Sequence, residues 1–141
     1  MSALRISTDK AELDLPLIHR FLSTQAYWSQ GIPEDTVVRA VAGSLCFGAY
    51  VEGAGQVAFA RVVSDFATFA YLADVFVVPE HRGRGYSKAL VAEVMAHPQL
   101  QGLRRFMLAT SDAHGLYTQY GFATPARPQT LVGVSKPGIY A

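Results

Sequence analysis

Apolar positions along this chain recur with two different periods, and each change of period marks a change of element. Leu4-Arg5-Ile6 alternates as a short first strand. Leu13, Leu17, Ile18 and Phe21 then fall at helical spacing. They predict a helix over Leu13 to Phe21, with Pro16 compatible only inside its first turn. Trp28-Ser29-Gln30-Gly31-Ile32-Pro33 breaks the pattern as a loop. Pro33-Glu34-Asp35 opens a second helix carrying Val37, Val38, Val41 and Ala42, and Gly43 closes it. Three apolar runs follow: Leu45 to Val51, Gln56 to Val63, and Phe69 to Val78. The connections, Glu52-Gly53-Ala54-Gly55 and Ser64-Asp65, are turn chemistry, so an antiparallel meander is expected.

Beyond Val78 the period changes again. Pro79-Glu80-His81-Arg82-Gly83-Arg84-Gly85 reads as a loop with two glycines. Ala89, Leu90, Val94 and Met95 then make a helical apolar face that His97-Pro98 ends. Arg105 to Ala109 is a strand. Ser111-Asp112 is expected to cap a short helix over Ala113 to Tyr120, with Gly121 stopping it at a C′ position. The tail is expected to hold one more strand, around Thr130 to Val134. The order β-α-α-β-β-β-α-β-α-β predicts a mixed α/β fold. Its core is a central mixed, mostly antiparallel sheet with helices on both faces.

Composition narrows the classes. The 141 residues make one domain, 1–141, long enough for a real core. Half the residues are hydrophobic and 16% are charged, which excludes wholesale disorder. Twelve Lys and Arg against eleven Asp and Glu leave a net charge of +1, so no global basic field exists for nucleic acid. The lone Cys46 excludes a disulfide framework and a multi-cysteine zinc site, and no metal is expected; within Leu45-Cys46-Phe47 it reads as a core thiol. No apolar stretch has the length of a membrane span, and Met1-Ser2-Ala3-Leu4-Arg5 lacks a signal-peptide core, so a cytoplasmic protein is expected.

The chemistry concentrates in Arg82-Gly83-Arg84-Gly85-Tyr86-Ser87. Glycines let successive backbone N–H groups point one way. The helix that follows adds free amides and a positive dipole end, and Arg82 and Arg84 add charge. The natural ligand is a pyrophosphate. A Walker loop is disfavoured because the loop lacks its G-x-x-x-x-G-K-[ST] spacing. A dinucleotide fingerprint is disfavoured because Lys88 stands where its third glycine belongs and Gln101-Gly102-Leu103 lacks the expected acid. The bland alternative is a loop that merely turns strand into helix.

The stretch Val75-Phe76-Val77-Val78-Pro79-Glu80-His81-Arg82-Gly83-Arg84-Gly85-Tyr86-Ser87-Lys88-Ala89-Leu90 resembles the acetyl-CoA-binding motif of the GNAT superfamily of acyl-CoA N-acyltransferases, [QR]-x-x-G-x-[GA]. Arg82 and Gly85 match it, and Ser87 replaces the final small residue. Ala113-His114-Gly115-Leu116-Tyr117-Thr118-Gln119-Tyr120-Gly121-Phe122 resembles the family's A-x-x-L-Y-x-x-x-G-F. The resemblance implies the GNAT-type fold and acetyl-CoA as co-substrate. Phe76 and Val77 would pair with pantetheine through their backbone. Amides of Gly83, Arg84, Gly85, Tyr86, Ser87 and Lys88 would hold the pyrophosphate. Thr110 stands where many relatives place a pantetheine-contacting Asn. Tyr117 matches the family's frequent general acid, which protonates the departing thiolate; its other reading is a core aromatic.

The base stays open. By strict alternation Asp74 shares a face with Leu72, Phe76 and Val78, where a carboxylate needs a partner or a role. Asp65, Asp112, His114 and a relayed water are alternatives. The acceptor site is expected between the first two helices and beside the turn after Val63, where Tyr27-Trp28 and Phe66 through Tyr71 either stack on an acceptor or join the core. The implied activity is N-acetyl transfer to a primary amine by direct attack in a ternary complex, and Cys46 lies away from both motifs, against a covalent route. The expected partners are acetyl-CoA and a small amine or peptide, with a homodimer left open. The rivals are a non-catalytic acyl-CoA-binding sensor and an interaction module.

Overall fold

Turn chemistry sets the strand boundaries of the computed structural model, which describes residues 3–111 and 113–140. The strands are β1 (Leu4–Ser7), β2 (Leu45–Val51), β3 (Gly55–Ser64), β4 (Phe69–Val77) and β5 (Arg105–Leu108). They lie in the order β1-β2-β3-β4-β5, which is also chain order. The short connections between β2, β3 and β4 make those pairs antiparallel, as is β1 with β2. The helix-containing crossover after β4 returns the chain in the same direction, so β4 and β5 are parallel.

The helices are α1 (Leu15–Thr24), α2 (Glu34–Ala42), α3 (Tyr86–Ala96) and α4 (His114–Thr118). The first starts two residues later than its apolar pattern. The Asp14 carboxylate accepts the Leu17 N–H at 3.1 Å, and Pro16 falls in the first turn, where its missing N–H is harmless. Leu13 stays extended before the cap and packs on the core.

Both sheet faces are covered. On one, Phe21 of α1 stacks on Phe76 with ring centroids 4.0 Å apart, and the Cys46 thiol lies against the Val41 carbonyl of α2. On the other, α3 buries Leu90, Val91 and Val94, and Phe47 meets His97 just past that helix. Phe47 and Phe59 are the largest fully buried side chains, one directed to each face by their places in the β2–β3 register.

One expected strand does not form. Thr130 is drawn into a 3-10 turn over Pro128–Thr130, its hydroxyl donating to the Arg127 carbonyl at 2.7 Å, and residues 131–136 continue without a ladder partner among the described residues. Val132 and Val134 are 95% and 90% exposed. β-propensity alone cannot hold a strand that has no neighbour to bond.

Candidate active site

The parallel pairing of β4 and β5 runs only from Phe69 opposite Arg105 to Leu72 opposite Leu108. There β5 ends, while β4 continues to Val77. At this point β4 also bulges. Arg61 stands opposite Ala73 and Phe59 opposite Phe76, so β4 carries one more residue than β3 across the stretch, and Asp74 takes φ +54. A bulge bends its strand and increases the local twist. The pairing of the two parallel strands therefore stops at Leu72, and the backbone of Phe76 and Val77 belongs to the length of β4 that β5 leaves unpaired.

The chain leaves the gap through a 3-10 turn over Pro79–His81, and Arg82 Nε donates to the Val77 carbonyl at 3.0 Å, fixing the loop to the strand end. Gly83 and Gly85 both have positive φ, +78 and +77, and a Cβ at either would meet nothing within 4 Å. These glycines serve backbone conformation beneath open space rather than internal packing. Gly85 is the N-cap of α3 and no side chain caps that helix, so the first-turn amides at Tyr86, Ser87 and Lys88 lie at an open positive end. Arg82, Arg84 and Lys88 are exposed around it, with Arg84 Nη1 3.2 Å from His81 Nδ1. The Tyr120 hydroxyl donates to the Lys88 carbonyl at 3.0 Å, which ties the first turn of α3 to the residues just after α4.

Tyr117 of α4 is buried, its ring edge-on to Phe122 at 6.1 Å. The turn into α4 corrects one expectation. Ala113 is the N-cap, with no side-chain cap of its own, and its N–H is accepted by the Thr110 hydroxyl at 3.1 Å. Ser111 instead donates to the Tyr27 hydroxyl at 2.7 Å, and Asp112 lies outside the described residues. A short polar side chain three residues upstream satisfies the helix-start amide as well as one next to it. His114 Nε2 sits 3.1 Å from the Thr110 carbonyl.

Asp74 is not where strict alternation puts it. The extra residue in β4 switches faces, so Leu72, opposite Val62, and Phe76, opposite Phe59, lie on opposite sides of the sheet. The Asp74 carboxylate accepts from Arg61 Nε at 2.9 Å through one oxygen and from Trp28 Nε1 at 2.8 Å through the other. Asp65 is spent locally: it accepts the N–H groups of Ala67, Thr68 and Phe69 and the Thr68 hydroxyl, and these bonds hold its carboxyl well below the usual range. Tyr27, Trp28, Phe66 and Phe69 are exposed rather than core. Through Trp28 to Asp74 and Tyr27 to Ser111, the loop between α1 and α2 is stitched across the sheet beside the gap. A pocket of about 210 Å³ beneath this loop is walled by Trp28, Arg61, Asp74 and Tyr140. Arg61 was missed in the sequence, although a lone arginine in the run Val57-Ala58-Phe59-Ala60-Arg61-Val62-Val63 signals a buried partner.

A cavity of about 850 Å³ lies apart from this gap. Every residue from Arg105 to Thr110 lines it together with residues 122–127, Thr130 and Leu131, and none comes from β4. It runs along the outer edge of β5, and Thr110, His114 and Tyr117 stand at its wall.

A parallel strand pair that splays onto a glycine loop and an open helix N-terminus defines the acyl-CoA N-acyltransferase fold. The acetyltransferase (GNAT) domain model matches residues 42–124, and the chain belongs to that family. A candidate acetyltransferase of Gibberella zeae is 35% identical over 133 residues, covering 79% of this chain and 74% of that protein. A crystal structure from Xanthomonas campestris pv. campestris, a candidate acetyltransferase of the GNAT family, is 62% identical. It superposes with a TM-score of 0.96 over 100% of this chain and 99% of that one. A candidate acetyltransferase from Clostridium acetobutylicum, solved with acetyl-CoA, shares the fold at a TM-score of 0.67 and 17% identity, with 96% of each chain covered.

Proposed function

We propose that this chain transfers the acetyl group of acetyl-CoA to the primary amine of a small-molecule or peptide acceptor, by direct attack within a ternary complex. The observation that carries the reading is the end of β4–β5 pairing at Leu72 and Leu108, with β4 running on into the glycine loop and the uncapped N-terminus of α3. Pantetheine lies in that gap beside Phe76 and Val77, and the pyrophosphate rests on the amides from Gly83 to Lys88, with Arg82 and Arg84 adding charge. The Clostridium structure with acetyl-CoA supports this placement by its shared fold.

Tyr117 follows the end of β5, where the strands part. Its phenol protonates the thiolate as the tetrahedral intermediate collapses, without placing a second negative charge beside the sulfur. The Asp74 carboxylate is already engaged by Arg61 and Trp28. This favours its holding Trp28 over the acceptor mouth, with the amine's proton leaving through water or His114. Calorimetric titration with acetyl-CoA, followed by thiol release across a panel of amines, tests the reading. Micromolar binding and amine-dependent release are expected. Binding without release from any amine returns the chain to an acyl-CoA sensor, and no binding removes the site assignment.

A further inference from the structure

The pocket of about 210 Å³ beneath the loop between α1 and α2 has two unlike kinds of wall. Leu22 of α1, Val37 and Val41 of α2 and Phe59 of β3 line it, each no more than 6% exposed. Trp28, Arg61 and Asp74 line it as well. Asp74 belongs to the length of β4 past Leu72 that β5 leaves unpaired, so the pocket borders the stretch where pantetheine is placed. Its charge is balanced internally. Among the described residues that line it, only Arg61 and Asp74 are charged, and they pair at 2.9 Å. Both Asp74 oxygens are taken, one by Arg61 Nε and the other by Trp28 Nε1. The Ser29 hydroxyl is spent on the Leu22 carbonyl at 2.7 Å. Among these residues no carboxylate is left unpaired for an ammonium group, and the guanidinium opposes one.

We propose that the acceptor is a hydrophobic monoamine, its ring or branched alkyl body filling this pocket and its amino group lying at the Asp74 side; this rests on the acetyl-transfer reading and narrows it. Volume sets the size of the body. An apolar cavity of about 150 Å³ holds a benzene ring, and sites for drug-sized ligands begin at roughly 300 Å³. A pocket of about 210 Å³ therefore takes one ring or one branched alkyl group on a short arm. Charge sets the number of amines. A polyamine or an oligomeric aminosugar carries further ammonium groups, which the pocket would strip of water without offering a counter-ion. A monoamine carries none once its attacking nitrogen is neutral. Burial of a phenyl-sized body against Leu22, Val37, Val41 and Phe59 supplies the affinity, and a methyl group cannot cover the same walls.

Trp28 is the chain's single tryptophan and lines the pocket, so its fluorescence reads occupancy directly. The full chain is saturated with CoA, which has no acetyl group to transfer, and titrated with phenethylamine, methylamine or spermidine. Phenethylamine should shift the Trp28 emission and saturate it at a concentration at least about 30-fold below either of the others. With acetyl-CoA, kcat/KM from thiol release should favour phenethylamine by at least about 30-fold as well. Ala40 of α2 is half-buried and lines the pocket, and Ala40→Leu fills it with little loss of helix propensity. This variant should cut the preference for phenethylamine over methylamine by at least about tenfold while the acetyl-CoA Kd stays unchanged. Trp28 emission indifferent to phenethylamine, a higher kcat/KM for spermidine, or a preference that folded Ala40→Leu leaves intact each overturns the proposal, even where amine-dependent release upholds acetyl transfer. A saturable Trp28 response with no release from any amine overturns the transfer reading and leaves the pocket's ligand class standing.

Discussion

Replacing Asp74 with Asn exchanges one carboxylate oxygen for an NH₂ group at a site where both oxygens accept N–H donors. Arg61 Nε lies 2.9 Å from one oxygen and Trp28 Nε1 lies 2.8 Å from the other. Whichever way the amide turns, its NH₂ faces a donor, and Arg61 loses its counter-charge. The pair is mostly shielded, with side-chain exposures of 18% for Arg61 and 13% for Asp74, so water cannot fully re-solvate the guanidinium. Removing one partner of a buried pair costs about 3–5 kcal/mol. Partial exposure places this case near the lower end, at about 3 kcal/mol, a fall of roughly 10 °C in Tm for a chain of this length. Urea denaturation of Asp74→Asn, Arg61→Met, Asp74→Leu and the Arg61→Met/Asp74→Leu double variant measures it. The double variant should be more stable than the sum of its single losses predicts, because it leaves neither charge buried alone. Asp74→Asn within about 0.5 kcal/mol of the natural chain, the ordinary range of a surface change, would refute the reasoning. The same variant, assayed below its lowered Tm, separates positioning from proton transfer. A positioning carboxylate leaves the acid limb of the kcat/KM profile in place, and a base takes the limb with it.

Tyr117→Phe retains the ring packed against Phe122 and should lower turnover by about 100-fold with acetyl-CoA affinity unchanged; equal turnover makes Tyr117 a core residue. Gly85→Val forces a β-branched residue into φ +77 and projects methyl groups over the loop, so a rise of at least about tenfold in the acetyl-CoA Kd is expected by calorimetry. An unchanged Kd in folded protein removes the pyrophosphate assignment. Burial pushes the Cys46 thiol from 9.0 up to about 11, so the fold favours its neutral form. Its contribution to stability is complete below about pH 9 and lost as pH rises toward about 11. The urea midpoint should fall across that window more steeply than in Cys46→Ala. Tyr50, pushed up to about 12 mainly by burial, adds a loss of the same sign in both proteins at higher pH, so only the difference is diagnostic.

What the sequence determined on its own is whatever neighbouring residues settle among themselves. Periodicity placed the helices and strands through β5 to within a few residues, because propensity, turn residues and amphipathic spacing act over one or two turns of chain. The glycine loop and the Tyr117 segment were legible for the same reason: a run of amides before a helix is a local object. Tertiary structure decided everything that depends on a partner far along the chain. The bulge that carries Asp74 to Arg61 and Trp28 exists only in the pairing of β4 with β3, and one extra residue there overturns an alternation that the strand alone obeys. The length of the gap depends on where β5 stops beside β4. Residues 130–134 have the composition of a strand and remain outside the sheet, because a strand's hydrogen bonds belong to its neighbour as much as to itself.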